Sequence, residues 1–174
     1  ETSGEGYLGA KAFMDSSNLQ TVTFEEICNI ETIKNSTFEN CESLVIDTLP
    51  ESVTIIENRV FYNCISMTEF IVQNTVTSIG DLAFANCSKL RFITIPSSIK
   101  TIEDSVFYNC HQLSRLTLTA NSLEDYLSSS VNQLLCKKNI TLNRELQIAG
   151  KALTKLEIPN SISNIPDYAF TYYY

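Results

Sequence analysis

The sequence is poor in the residues that most often carry catalysis, metal binding or membrane insertion. Its 174 residues include one His, no Trp, five Gly and four Pro. Asp and Glu outnumber Lys and Arg by 20 to 12, and the formal net charge of −8 argues against a nucleic-acid backbone as partner. No apolar run is long enough to cross a membrane as a helix. Glycine is also too scarce for a phosphate-cradling loop.

The remaining candidate catalytic residues do not form a convincing site. Cys110 and His111 are adjacent, and neighbouring residues in a turn rarely direct both side chains into one site. The acidic residues are scattered singly, whereas general acid–base catalysis needs converging carboxylates. With one His and no C-x-x-C motif, the usual zinc-ligand spacing is also missing. We therefore expect no enzymatic activity, no cofactor and no metal site.

What the sequence does contain is a short phrase that recurs at a nearly constant interval. The phrase has the form x-F-x-N-C, and its Phe occupies these positions: Phe38, Phe61, Phe84 and Phe107. Weaker copies centre on Phe13 and Phe170, so the sequence numbers of successive Phe differ by 25, 23, 23, 23 and 63. A fixed period in the twenties is typical of a solenoid built from stacked coils.

Apolar residues also recur at fixed distances from each Phe. They lie five and eight residues before it and six and eleven residues after it in nearly every copy. One coil cannot bury this set alone, but stacked coils bury it continuously. Within each coil, stretches such as Phe92–Ile95 alternate as strands do, so equivalent strands should pair in parallel about 4.8 Å apart. Asp47 replaces the expected apolar residue in the second coil, which predicts a local distortion there.

These residues resemble a known family. Leu90 to Cys110 reads L-x-x-I-x-I-P-x-x-I-x-x-I-x-x-x-x-F-x-x-C, which is similar to the BspA-like leucine-rich repeat. The resemblance implies an α/β repeat solenoid, a right-handed leucine-rich-repeat coil of about 23 residues per unit, with a curved parallel sheet on its concave face and irregular or short helical structure opposite. Members of this family are surface and secreted proteins of host-associated bacteria and parasitic protists, and they are associated with adhesion to host cells and matrix proteins. The resemblance therefore implies a similar location and role for this chain.

The repeat divides the chain, which we interpret as one domain over residues 1–174, into three parts. Regular repeats occupy residues 1–118, an expanded coil occupies 119–150, and the repeat resumes over 151–174. In the expanded coil, N-S-L-E-D-Y-L-S-S-S-V-N-Q-L-L predicts a helix capped by Ser122, with Asp125 completing an approximate capping box. The phrases N-I-T-L and E-L-Q-I-A-G each predict a strand. Because the chain begins at Glu1 and stops partway through a repeat, we expect it to be part of a longer protein.

Two polar or reactive columns follow from the period. Four of the six cysteines recur once per coil, each at the same distance after its Phe: Cys41, Cys64, Cys87 and Cys110. Successive copies point the same way, so buried free thiols are favoured over disulfides. Cys28 and Cys136 lie outside this column, and their oxidation state stays open. The Asn before each column Cys is interpreted as a residue that satisfies backbone groups in a tight turn.

Three triplets match the N-glycosylation sequon. Asn86 is the poorest acceptor because it lies in the predicted turn. Asn35 and Asn139 are the better candidates if the protein is secreted by a eukaryote.

The predicted binding surface is the concave face of the sheet, formed by the strand side chains that point to solvent. The residues placed on it are Glu69, Ile71, Phe92, Thr94, Arg115, Thr117 and Lys155. The Thr residues have a simple explanation, because β-branched side chains pair well across strands. Phe92 between Glu69 and Arg115 has the composition of a binding hot spot, although a single exposed apolar residue is also common on protein surfaces.

Together, the repeat and the resemblance predict a protein-binding module at the cell surface or in the extracellular space. Its expected partner is a host cell-surface or matrix protein, with no nucleic acid and no membrane insertion by this segment. A structural spacer that presents another domain remains an alternative. An intracellular interaction scaffold is a second one, which unpaired cysteines would favour.

Overall fold

Each regular coil contributes one short strand to a first wall, the third to fifth coils also contribute one to a second wall, and a run of turns lies between the two walls. The computed structural model describes residues 6–25, 28–129, 131–137 and 144–171. In chain order the elements are β1 Gly6–Leu8, β2 Ile30–Ile33, β3 Ile55–Ile56, β4 Glu69–Ile71, β5 Ser78–Ile79, β6 Phe92–Pro96, β7 Thr101–Ile102, β8 Arg115–Ala120, α1 Leu123–Ser128, α2 Val131–Lys137, β9 Arg144–Ile148 and β10 Lys151–Ala152.

These strands form two sheets of five. The first sheet has the order β1-β2-β3-β5-β7 and is parallel throughout. The second sheet has the order β10-β9-β8-β6-β4 and is parallel except for the final pair, β9 and β10. The predicted parallel-sheet repeat solenoid is therefore confirmed. The sequence predicted irregular or short helical structure opposite the binding sheet. Part of that region instead forms the first sheet, and the helices lie between residues 123 and 137.

The turn wall between the two strands of a coil is held by backbone hydrogen bonds to the next coil. Phe38 N donates to Val60 O at 2.9 Å, and Phe61 N donates to Ala83 O at 2.8 Å. In each regular coil the residues two before and two after the Phe have φ between 55° and 64°. Asn tolerates this left-handed conformation better than most residues, which explains its recurrence. The residue two positions after the Phe is Asn in four coils: Asn40, Asn63, Asn86 and Asn109.

The asparagine side chains also join neighbouring coils. Asn63 Nδ2 donates to Asn40 Oδ1 at 3.1 Å, and Asn109 Nδ2 donates to Asn86 Oδ1 at 3.0 Å. The predicted turn role of these residues therefore extends to side-chain hydrogen bonds between two pairs of neighbouring coils.

A column of phenylalanine rings lies behind the turn wall. The ring centroids of Phe38 and Phe61 are 5.5 Å apart, and those of Phe61 and Phe84 are 5.3 Å apart. These three rings are fully buried, whereas Phe107 near the last regular coil is half-buried. Parallel ring stacking at this spacing adds to the burial of apolar area.

The column cysteines are free thiols in the same core. Each Sγ–H donates to the carbonyl of the Phe one coil earlier, for example Cys64 Sγ to Phe38 O at 3.1 Å and Cys87 Sγ to Phe61 O at 3.1 Å. Burial raises the pKa of every column thiol, and it raises that of Cys110 to about 12. Cys28 is also a free thiol, and the side chain of Cys136 lies outside the described residues.

The distortion predicted at Asp47 has a specific form. Asp47 points to solvent, and its neighbour Ile46 is buried in its place. Since successive strand residues alternate between faces, this one-residue shift breaks the regular pairing. The second coil keeps only an isolated bridge from Thr48 to Ile71 in the second sheet. Ile46 holds the repeat position at which Glu69 and Phe92 face solvent, so the period predicts an exposed side chain there, and the structure buries it instead.

The expanded coil contains two short helices rather than the single predicted helix. Ser122 caps α1 as expected, because its side chain accepts a hydrogen bond from Asp125 N at 3.0 Å. The helix ends at Ser129, whose extended ψ of 156° breaks the pattern before α2 begins. The E-L-Q-I phrase forms β9 beside β8, while N-I-T-L lies outside the described residues.

After β9 the chain reverses instead of starting another regular coil. Ala149 and Gly150 have φ of 49° and 75°, and they direct β10 back along β9 in antiparallel pairing. Residues 153–171 contain no strand, and Leu156, Ile158 and Ile165 are between 41% and 47% exposed. The resumed repeat therefore lacks the strand that the spacing predicted.

We predict that Phe61→Ala lowers the free energy of unfolding by about 3–5 kcal/mol, because it removes a fully buried ring stacked between two others. Phe107→Ala is the matched control, and its half-buried ring should cost clearly less. Urea denaturation followed by circular dichroism measures both losses. Equal losses would contradict the described gradient of burial along the column.

We also predict that the four column thiols react only after unfolding, since burial disfavours the reactive thiolate. A Cys28→Ser/Cys136→Ser variant isolates the column for titration with a disulfide reagent at pH 8. Little reaction is expected in the native protein and four thiols in concentrated guanidinium chloride. Finding fewer than four thiols after unfolding would indicate native disulfides and overturn the prediction.

Candidate functional site

The solvent face of the second sheet brings most of the predicted binding residues together. Glu69, Phe92 and Arg115 are directly paired neighbours on β4, β6 and β8. A second row, two residues further along, places these paired residues side by side: Ile71, Thr94, Thr117 and Glu145. The strand period of two puts both rows on one face, because Ile93 and Leu116 between them are buried.

Phe92 is half-buried, and two guanidinium groups lie over its ring. The Cζ atoms of Arg91 and Arg115 are 5.2 Å and 5.0 Å from its ring centroid. Both distances allow cation–π attraction, which restricts the ring and the two long side chains. Ile71, on the neighbouring strand, is 48% exposed. The surface therefore has an apolar centre with fixed positive charge beside it.

A carboxylate balances part of that charge. Arg115 Nη1 lies 3.2 Å from Glu145 Oε2, and Gln147 Nε2 donates to Glu145 Oε1 at 2.9 Å. The Gln147 amide and the Arg115 guanidinium hold the pKa of Glu145 below its usual value. The Arg115 side chain is still 52% exposed, so its remaining donors can reach a ligand.

Lys155 does not lie on this face, and its predicted position was wrong. The hairpin at Ala149 and Gly150 diverts the chain into β10, so residue 155 forms no strand of the second sheet. Lys155 instead pairs with Glu157 in the exposed segment that follows. The edge position beyond β8 is taken by β9.

Two residues of the surface were not identified from the sequence. Arg91 lies just before Phe92, so its place next to an aromatic residue was an available signal. Glu145 lies in the expanded coil, where the period of the regular coils does not indicate which strand residue faces Arg115.

The glycosylation candidates differ in what the structure describes. Asn35 is exposed, but its Oδ1 accepts a hydrogen bond from Asn58 N at 3.1 Å in the turn wall. Thr37 of the same triplet is fully buried, and its hydroxyl donates to Lys34 O at 2.7 Å. Modification at Asn35 would therefore have to precede folding. Asn139 lies outside the described residues.

Among residues 6–25, 28–129, 131–137 and 144–171, no three His, Cys, Asp or Glu side chains are grouped to hold a metal ion. In the same ranges, no helix has the length and apolar character needed to span a bilayer.

Comparison with known proteins identifies the repeat. The family described as "BspA type Leucine rich repeat region" matches in six copies, over residues 6–131 and 124–174. No curated protein matches the chain.

Three solved structures share the fold. A leucine rich repeat protein of T. pallidum has a TM-score of 0.61 and 22% identity, with 81% of this chain and 62% of that chain covered. A leucine rich cell surface protein of Faecalibacterium prausnitzii A2-165 has a TM-score of 0.55 and 23% identity, with 75% and 32% covered. A leucine-rich repeat protein of Bacteroides ovatus has a TM-score of 0.51 and 20% identity, with 82% and 41% covered. The chain thus spans less than two thirds of each.

We predict that the surface residues can be changed without loss of the fold. Phe92→Thr should change the free energy of unfolding by less than about 1 kcal/mol, because the side chain faces solvent. Ile93→Thr on the same strand should cost about 2 kcal/mol or more, because it places a hydroxyl in the core. Urea denaturation compares the two variants. A larger loss for Phe92→Thr would assign that ring to the core rather than to a binding surface.

Proposed function

Because the chain belongs to the BspA type leucine-rich repeat family, we propose that it is the protein-binding module of a cell-surface or secreted protein that adheres to host cells or extracellular matrix. The observation that carries the proposal is the paired row of Glu69, Phe92 and Arg115 on the solvent face of a continuous sheet. A solenoid presents such a face as an extended platform for macromolecules.

The composition of this row favours a protein ligand over a small molecule. Aromatic and Arg side chains dominate protein-binding hot spots, because they bury a large area and still donate hydrogen bonds. Here two Arg side chains hold one Phe ring in place, so less side-chain entropy is lost on binding. The face is an open strand surface rather than an enclosed cavity, unlike most small-molecule sites.

A surface or secreted location is supported by the family resemblance and by the character of one neighbour. The F. prausnitzii structure is described as a cell surface protein, and it shares the fold with this chain at 23% identity. Extracellular adhesion is the function that best combines such a location with an exposed binding platform. The six-copy family match supports a binding scaffold, so the proposal does not include catalysis.

We expect the purified chain to bind saturably to cultured epithelial cells or to at least one member of a panel of immobilised matrix proteins. A Phe92→Asp/Arg115→Glu variant should lose at least tenfold in affinity, because it removes the aromatic anchor and reverses the adjacent charge. Biolayer interferometry on the matrix panel and flow cytometry on cells measure the two affinities.

The matched control is Tyr108→Asp/Lys89→Glu, which makes the same kinds of change at exposed turn residues outside the strands of the second sheet. It should bind as the unmodified chain does. Equal binding by both variants would remove the binding role from the Phe92 surface. Absence of binding by the folded, unmodified chain would favour a spacer that presents another domain.

A further inference from the structure

A cleft separates the first two coils on one wall only. At the turn wall the coils are in contact, with the Phe13 and Phe38 ring centroids 5.4 Å apart and Phe13 N donating to Thr37 O at 2.9 Å. The first sheet also joins them through β1 and β2. On the wall of the second sheet, residues 21–24 and 46–49 flank a cleft of about 590 Å³ instead of pairing. Its size is within the range of ligand-binding sites.

The backbone on both sides of the cleft is left without partners. Residues 21–24 donate and accept no backbone hydrogen bond within the described parts of the chain, and the N–H groups of Ile46 and Thr48 donate none. The last contact before the cleft is Val45 N to Gln20 O at 2.8 Å. On its other side the second coil bonds onward, from Ile71 N to Asp47 O at 2.6 Å. The cleft therefore lies between two backbone segments whose polar groups on the cleft side are unpaired, which is the situation that favours addition of a strand.

The side chains that line the cleft favour a ligand with apolar and positively charged groups. Apolar residues line its interior: Val22, Phe24, Ile46 and Leu49. Exposed carboxylates line its rim: Glu25, Asp47 and Glu51. None of these carboxylates forms an ion pair with a described residue, and no Lys or Arg lines the cleft.

We propose that this cleft binds an extended, positively charged peptide segment of a partner protein, which inserts as a strand between the first and second coils. Hydrogen bonds to both edges would hold the backbone, apolar side chains would fill the interior, and Lys or Arg side chains would meet the rim. A second copy of this chain is disfavoured as the occupant, because its net charge is −8. The site is separate from the Phe92 surface, which lies on β4, β6 and β8.

The test uses a fluorescein-labelled eight-residue peptide of alternating Lys and Val and the complete chain, with fluorescence anisotropy as the readout. Saturable binding is expected. The same peptide N-methylated at alternate residues keeps the charge but loses backbone donors, and it should bind at least tenfold more weakly. An alternating Glu and Val peptide should not bind. Equal binding of the methylated peptide would show attraction by charge alone and overturn the proposal.

Variants locate the binding. Asp47→Asn/Glu51→Gln should weaken binding of the Lys–Val peptide several-fold, because both rim carboxylates are neutralised. Glu31→Gln/Glu103→Gln removes the same charge from the wall of the first sheet and should leave the affinity unchanged. Thermal denaturation of each variant checks that the fold is retained. Equal weakening by both variants, absence of binding by the unmodified chain, or self-association that the peptide displaces would each overturn the proposal.

Discussion

Backbone hydrogen bonds between the turn segments of successive coils are the constraint on which the structure depends. They repeat at every regular coil, from Lys11 N to Asn35 O through Asn86 N to Tyr108 O, and they fix how each coil lies on the next. The phenylalanine rings, the cysteine thiols and the two sheets all stack in register with this ladder. A solenoid of this kind owes its stability to contacts between neighbouring coils, because no coil buries its apolar side chains alone.

The two sheets develop differently along the same ladder. Strands of the first sheet between β3 and β7 are two residues long, whereas strands of the second sheet grow from three residues in β4 to six in β8. The expanded coil adds β9 to the second sheet without interrupting its parallel pairing. The widest and best-paired part of the molecule thus coincides with Phe92, Arg115 and Glu145. At the opposite end, where the shift at Asp47 removes pairing, the same wall opens into the cleft.

The sequence predicted the fold correctly in the coils that keep the 23-residue period. The regular spacing of the x-F-x-N-C phrase predicted the stack, the buried columns and the row of Glu69, Phe92 and Arg115, because equivalent positions in equal coils are neighbours in space. It also indicated that Asp47 would disturb its strand, since a carboxylate cannot occupy a core position without a partner.

The errors lie where local geometry replaces the period. The extended conformation at Ser129 divides the predicted helix, and the hairpin at Ala149 and Gly150 removes Lys155 from the sheet. These two backbone features do not depend on the hydrophobic pattern, so the pattern could not predict them. The first sheet was missed because its strands are too short to show alternation, and parallel pairing between coils creates them.

The left-handed residues of the turn wall bear on how such a protein can diversify. The position two residues before each Phe is occupied by Lys11, Ser36, Arg59, Leu82 and Ser105, none of which favours a positive φ by itself. In the first four of these residues the backbone N–H donates to a carbonyl of the next coil, and this hydrogen bond, rather than the side chain, imposes the conformation. Basic, hydroxyl and aliphatic groups can therefore replace one another at these corners while the backbone keeps its path. Proteins built from this repeat can therefore change the chemistry of an entire edge of the molecule by point substitutions, with no insertion of a new loop.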